Sequence, residues 1–161
     1  LFMLDVDYTS ASHAWIPGQR SSPYEMGLGW TVNLDKQGYF VGRRALEREH
    51  REGSSWQLVG LEIDWEGLER EYAVVGMPPQ VPASAVRGSV PVYAGPRQVG
   101  YASTSTWSPV LKKYIALVHL QQPYFTPGTK VEIEVTVEHH RRKSPATVVK
   151  LPFYDPEWKK K

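Results

Sequence analysis

The second half of the chain alternates between hydrophobic and polar residues with a period of two. In TKVEIEVTV, valine or isoleucine occupies every second position from Val131 to Val137, with charged or hydroxyl side chains between them. The segment QLVGLEI at residues 57–63 repeats this alternation. Such a pattern is typical of strands with one buried face. The segment KYIALVHL, residues 113–120, is apolar on both faces, which predicts a strand in the middle of a sheet.

Shorter strands are predicted near residues 90–93, 98–103 and 146–151, with proline and glycine in the turns between them. About six strands of this kind predict a small antiparallel barrel or sandwich. Residues 65–86, which include MPPQVPAS, interrupt the strand pattern. They are predicted to form a surface insertion.

The first part of the chain follows a different pattern. Residues 1–8 are predicted to form a strand, or the exit from a helix that begins upstream of Leu1. A loop at 9–23, a short strand at 29–34 and a helix at 41–52 are predicted to follow. Gly53 ends the helix, and the strand periodicity begins just after it. The sequence therefore predicts an α+β part at residues 1–54 and a β-rich domain at residues 55–161.

The composition excludes several classes of site. The chain of 161 residues has no cysteine, which excludes disulfides and cysteine-ligated zinc. Its formal net charge of +2 is too small to indicate nucleic-acid binding by itself. No apolar segment approaches the roughly 20 residues that cross a membrane, so we expect a soluble, cytoplasmic protein. Because Leu1 opens a strand-like segment instead of a loose polar terminus, we expect the chain to be the C-terminal piece of a longer protein.

Two polar clusters lack the spacing that catalysis or metal binding requires. EHHRRK, residues 138–143, is predicted to be a solvated hairpin tip, because adjacent His139 and His140 would face opposite sides of a strand. ASTSTWSPVLKK, residues 102–113, contains neither GxSxG nor SxxK. The five histidines have no recognised ligand spacing, and no metal site is predicted.

The segment SSPYEMGLGWTVNLDKQGYFVGRRAL allows two interpretations. Gly27 and Gly29 let the backbone approach another group closely, and Trp30 would then fill a space in the core. Alternatively, Trp30 binds a flat ligand whose anionic tail meets Lys36 or the basic helix that follows. The residues by themselves favour packing.

Four segments of the chain match short motifs that occur in the same order in one protein family. SPYEMGLGWTVNLDKQGYFVGRRAL is similar to P-x-E-x-G-L-x-W followed by K-x-x-F-x-G-x-x-A-L, and VPVYAGPRQVGYASTSTWSPVLKKYIALVHL is similar to a barrel signature that ends in SP-x-L-K-K-x-I-A-L. PGTKVEIEV and ATVVKLPFYDP are similar to the closing GT-x-V-x-V-x-V and A-x-V-x-x-x-P-F. In this order the segments resemble the aminomethyltransferases, the family of the T-protein of the glycine cleavage system.

The resemblance implies a mainly β fold: a C-terminal six-stranded antiparallel Greek-key barrel preceded by the α+β tail of a folate-binding domain. It also implies tetrahydrofolate as the cofactor. Position by position, the candidate folate contacts are Lys36, Trp30, Glu25 and Trp158. Glu25 is expected to stabilise its loop more than to contact the ligand. No catalytic residue is carried over, so this chain alone is expected to be inactive.

The same resemblance implies the partners of the parent enzyme. These are folate, a small methylamine-type or methyl-donor substrate and, for a true T-protein, a lipoyl carrier protein. Relatives that bind folate and assist iron–sulfur assembly carry a K-G-C-x-x-G-Q motif, where this chain reads KQGYFVGRR. The folate domain of a dimethylglycine or sarcosine dehydrogenase, or a demethylase relative, is a further alternative. RNA binding rests only on the EHHRRK segment.

Overall fold

The structure, a computed structural model, describes residues 21–82, 84–86 and 88–160. The predicted strand at residues 1–8 and most of the predicted loop at 9–23 lie outside the described residues. The chain forms two compact units, one ending at Gly53 and the other beginning at Ser54.

The second unit is a closed barrel of six antiparallel strands. The strands are β1 (Trp56–Ile63), β2 (Val90–Ala94), β3 (Arg97–Ser108), β4 (Lys113–Gln121), β5 (Lys130–Val137) and β6 (His140–Val149). Their order around the barrel is β1-β4-β3-β2-β5-β6. Strands β2, β3 and β4 are neighbours in the chain and in the barrel. Strand β1, which a long segment connects to β2, lies beside β4, and this is a Greek-key arrangement. The predicted mainly β fold with a six-stranded barrel is confirmed.

Alternating residues of the strands fill the barrel interior. Leu61, Val92, Val99, Val118 and Leu120 are completely buried there. The apolar strand β4 pairs with β1 on one side and β3 on the other, as its sequence predicted. Closure pairs every strand on both sides and leaves no free edge.

The segment between β1 and β2 contains a helix that packs on the barrel, so the prediction of a surface insertion at residues 65–86 is wrong. Helix α2 spans Trp65–Ala73 and begins after Asp64, whose carboxylate accepts a hydrogen bond from the Gly67 N–H at 3.1 Å. Leu68 and Tyr72 are buried with Val137 in a second hydrophobic cluster. The helix therefore contributes to the core of this unit.

The first unit contains helix α1 (Arg43–Glu52). The predicted helix at residues 41–52 starts two residues later, because Gly42 has a left-handed backbone with φ of 89° and precedes the first turn. Gly53, with φ of 84°, follows the last turn. The predicted strand at residues 29–34 is wrong: Gly29–Thr31 is a 3-10 turn, closed by the Thr31 N–H donating to the carbonyl of Leu28.

The β5–β6 hairpin is tighter than the sequence indicated. Its tip is only Glu138 and His139, which have φ of 47° and 63°. Two left-handed residues match the twist of the flanking strands. The rest of EHHRRK belongs to β6, which begins at His140 and not near residue 146. Its charges face acidic residues: Arg141 lies 3.7 Å from Glu134.

Candidate functional site

Glu25 ties a short loop in the first unit. Its carboxylate accepts a hydrogen bond from the Ser22 N–H at 3.0 Å, and the Ser22 hydroxyl accepts one from the Glu25 N–H at 3.1 Å. This reciprocal pair is a capping box, and it closes a single helical turn. The Ser22 hydroxyl also donates to Glu49 in α1. Glu25 thus holds its loop, as expected, and its contact with a ligand stays a prediction.

Trp30 is exposed instead of packed. The side chain is 83% accessible, so the interpretation of Trp30 as a core residue is wrong. The glycines before it are explained locally: Gly27 has φ of 70°, and a Cβ at Gly29 would lie 2.9 Å from the Tyr24 ring. The close approach that the glycines allow is therefore made by Tyr24, and the indole of Trp30 is left open to solvent.

Lys36 is exposed on a loop that Arg43 holds in place. The Arg43 guanidinium donates to the backbone carbonyls of Leu34, Lys36 and Gly38 at 2.8–3.0 Å. Its Nε donates to Glu47 at 2.7 Å, which anchors the guanidinium on α1. These bonds use the Lys36 carbonyl and not its ammonium group. The ammonium group can therefore still contact an anion. The sequence pointed to Arg43 only as part of the basic helix, and its role in holding the Lys36 loop was not predicted.

Trp158 lies in the second unit, in the 3-10 turn Glu157–Lys160, and is 66% exposed. The chain reaches it through Phe153, whose ring covers Gly60 of β1. Glu25, Trp30 and Lys36 belong to the first unit. The described hydrogen bonds connect Glu25 with Ser22 and the Lys36 carbonyl with Arg43, and they do not connect the three candidates with one another.

Within the described residues, the serine-rich segment of β3 does not pair a hydroxyl group with a base. The Ser105 and Tyr114 hydroxyls lie 3.2 Å apart, and neither forms a hydrogen bond to a basic side chain in the part of the chain that the structure describes. Within the described residues, no group of three or more ligand side chains could hold a metal ion. None of the described helices is long and apolar enough to span a membrane.

His119 on β4 is the one buried histidine among the described residues, with 8% of its surface accessible. Its ring stacks on Tyr101, with the centroids 5.3 Å apart. Neither ring nitrogen has a hydrogen-bond partner within the described part of the chain. Burial lowers the pKa of His119 below its usual value of 6.5. The native state therefore favours the neutral ring.

His119 is expected to make the protein less stable in mild acid. Below pH 6.5 the unfolded chain takes up a proton that the native state resists, so the free energy of unfolding falls as the pH drops towards the lowered pKa. The slope from this group is at most about 1.4 kcal/mol per pH unit. Urea unfolding of His119→Phe should lack this loss, whereas the exposed-turn control His139→Gln should keep it. An equal acid slope in His119→Phe would refute the assignment.

Comparisons with known proteins agree with this architecture. The family model of the glycine cleavage T-protein C-terminal barrel domain matches residues 57–155. The aminomethyltransferase of Prochlorococcus marinus strain NATL2A is 34% identical over 134 residues, which cover 83% of this chain and 30% of that protein. The aminomethyltransferase of Bacillus pumilus strain SAFR-032 is 32% identical over 133 residues, 83% of this chain and 31% of that protein.

The fold has a counterpart among solved structures. The crystal structure of glycine cleavage system aminomethyltransferase T from Bartonella henselae superposes with a TM-score of 0.60 at 18% identity, over 83% of this chain and 32% of that one. At this identity the likeness concerns the fold alone. The chain spans about 30% of the length of the curated relatives that it matches.

Proposed function

Because the chain belongs to the glycine cleavage T-protein family, whose C-terminal barrel domain it contains, we propose that it is the C-terminal part of a tetrahydrofolate-dependent aminomethyltransferase. The observation that carries the proposal is the family match over residues 57–155, the stretch that forms the closed barrel. The catalytic carboxylate of the parent enzyme is proposed to lie in the remaining part of the protein. The 161-residue chain alone is expected to be inactive.

Two exposed side chains of the first unit fit a flat anionic ligand. Trp30 presents an indole that is 83% accessible, and an aromatic face of this kind can stack on a planar ring. Lys36 is exposed and has no ion-pair partner among the described residues, so its ammonium group can meet a carboxylate. Tetrahydrofolate, when bound, supplies N5 or N10 as the acceptor of a one-carbon unit.

The loop contacts define what each residue would contribute. Arg43 holds the backbone around Lys36, which fixes the point from which the flexible lysine side chain extends. A lysine is a point charge and cannot grip a carboxylate with two parallel hydrogen bonds, so Lys36 would supply affinity more than orientation. Glu25 would act indirectly by holding the loop that precedes Trp30. Trp158 stays a separate prediction from the resemblance.

The parent enzyme would work chiefly by placing its reactants side by side. A methylamine-type carbon held beside a folate nitrogen reacts as if intramolecular, which removes much of the entropic barrier. A carboxylate in the remaining part of the protein would assist proton transfer. If the parent is a true T-protein, the aminomethyl group arrives on a lipoyl carrier protein.

Isothermal titration calorimetry of tetrahydrofolate with the full-length protein tests the proposal. We expect saturable binding, and we expect Lys36→Gln to weaken it about tenfold because one charge-assisted contact is lost. Lys150→Gln, which removes an exposed lysine of the second unit, is the matched control and should bind like the wild type.

The possible outcomes test the proposed function and the proposed role of Lys36 separately. Absence of binding at high micromolar tetrahydrofolate would remove the proposed function. Wild-type affinity in Lys36→Gln, with binding otherwise intact, would remove only the role of Lys36.

Two alternatives concern the same family. A folate domain of a dimethylglycine or sarcosine dehydrogenase would be accompanied by a flavin domain, which the complete gene sequence would reveal. Iron–sulfur assembly relatives carry a cysteine ahead of the helix, and this chain has none. RNA binding is disfavoured because Arg141, Arg142 and Lys143 each lie within 4 Å of a glutamate, at 3.7, 3.5 and 3.7 Å.

A further inference from the structure

A cleft of about 620 Å³ opens at one end of the barrel, beside the first turn of α2. It is bounded by the end of β1, the β3–β4 turn and the first residues of β4 and β5. This volume lies within the range of roughly 300–1,000 Å³ that is typical of small-molecule sites. All of its lining residues belong to the second unit.

Two indoles form an aromatic wall of the cleft. Trp65 and Trp107 meet edge to face, with ring centroids 5.1 Å apart. The Trp65 Nε1–H donates to Glu69 at 2.8 Å, which fixes the ring orientation on α2. Trp65 nevertheless stays 36% exposed, a substantial fraction for a tryptophan that is already packed on another ring. A planar apolar group could cover this surface.

The charges around the indoles are unbalanced. Four basic and two acidic side chains line the cleft. Both acids are engaged: Glu62 pairs with Lys113 at 2.6 Å, and Asp64 caps α2 and lies 3.8 Å from Arg70. The other two cations, Lys112 and Lys130, have no carboxylate partner within the described part of the chain. The cleft thus keeps an excess of two positive charges.

Lys112 and Lys130 differ in how they are held. Lys130 donates to the Thr147 hydroxyl at 2.7 Å. Lys112 makes no hydrogen bond to a described residue, and its backbone is left-handed, with φ of 53°. This conformation is unfavourable for a residue other than glycine. At the cleft, the β3–β4 turn thus carries an ammonium group that has no partner among the described residues, on a backbone conformation that is uncommon for lysine.

We propose that this cleft binds a small aromatic anion, a planar ring that carries a carboxylate or a similar acidic group. The ring packs against Trp65 and Trp107, and the ammonium groups of Lys112 and Lys130 neutralise the acidic group. Aromatic surface provides affinity for the ring, and the two lysines select an anion over a neutral compound of the same shape. The chemistry of the cleft does not depend on tetrahydrofolate binding elsewhere in the parent protein.

Titration of the chain with 2-naphthoate tests this site by nuclear magnetic resonance. The indole ¹H–¹⁵N signals of Trp65 and Trp107, assigned with Trp65→Phe and Trp107→Phe, should shift in a saturable manner. The signal of Trp56, which lies outside the cleft against Tyr101, should not shift. Lys112→Gln/Lys130→Gln should weaken binding about tenfold, and Lys150→Gln should not. The neutral 2-naphthamide should bind more weakly than 2-naphthoate.

Three results would overturn the proposal. They are unchanged Trp65 and Trp107 signals at millimolar naphthoate, equal affinity of the folded double variant and the wild type, and equal affinity for the neutral amide. Both lysines lie on the surface of the barrel, so their substitution should leave the barrel folded. Circular dichroism and thermal unfolding of each variant check this.

Discussion

Gly100→Ala is expected to lower the free energy of unfolding by about 3 kcal/mol or more. Gly100 lies on β3 opposite Leu120 of β4. A Cβ at this position would lie 2.1 Å from the carbonyl oxygen of His119 and 2.7 Å from a methyl group of Leu120. A backbone oxygen cannot rotate away as a side chain can, and β4 is paired with β1 on its other side. The clash can therefore be relieved only if the backbone of β3 or β4 moves.

Gly88→Ala provides the matched control for this prediction. There a Cβ would meet only Val86, at 4.0 Å, which is an ordinary contact. The substitution also reduces the freedom of the unfolded chain, so its effect should lie between zero and a slight stabilisation of about 0.5 kcal/mol. Chemical denaturation of both variants measures the difference. Similar midpoints for the two would contradict the close approach of β3 and β4.

The strands could be predicted because their pattern is local. Alternation in residues 57–63 and 129–137 requires only that one face of each strand be buried, and a barrel provides this whatever the strand order. The contacts that close the barrel depend on distant residues. A Cβ at Gly60 would lie 2.6 Å from the Phe153 ring, and no spacing within β1 shows that this ring covers it.

Helix α2 was missed although its signals are present. Asp64 is a good N-cap, and Leu68 and Tyr72 are spaced by four residues, as on one helical face. The proline-rich stretch at residues 78–82 outweighed these signals and suggested an irregular insertion. A nine-residue helix is too short to be stable alone, and its packing on the barrel stabilises it.

The candidate site was predictable only in part. The S-x-x-E spacing of Ser22 and Glu25 is a known capping signature, so the loop role of Glu25 follows from the sequence. The three carbonyls that Arg43 binds lie five to nine residues away, and no short motif encodes such contacts. The exposure of Trp30 depends on tertiary structure, which is why the packing interpretation failed.

Leu68→Ala is expected to destabilise the second unit by about 2–5 kcal/mol. Leu68 is 2% exposed and packs with Tyr72 and Val137, so truncation removes buried methyl groups and leaves a cavity at the end of the barrel. Val74→Ala removes methyl groups from a side chain that is 66% exposed, and its effect should stay within about 0.5 kcal/mol.

The unfolding transition of Leu68→Ala shows whether α2 unfolds together with the barrel or before it. Gly67 lies against Pro145 of β6, since a Cβ there would approach the proline ring to 2.6 Å, and the Asp64 N–H donates to the Pro145 carbonyl. These contacts couple the helix to a central part of the sheet, so helix and barrel should unfold together in one transition at a lower denaturant concentration. Two probes can report on this: far-ultraviolet circular dichroism for the whole unit and the indole ¹H–¹⁵N nuclear magnetic resonance signal of Trp65 for the helix. An early loss of the Trp65 signal ahead of the barrel, or a midpoint equal to that of Val74→Ala, would make α2 an appendage and not a part of the core.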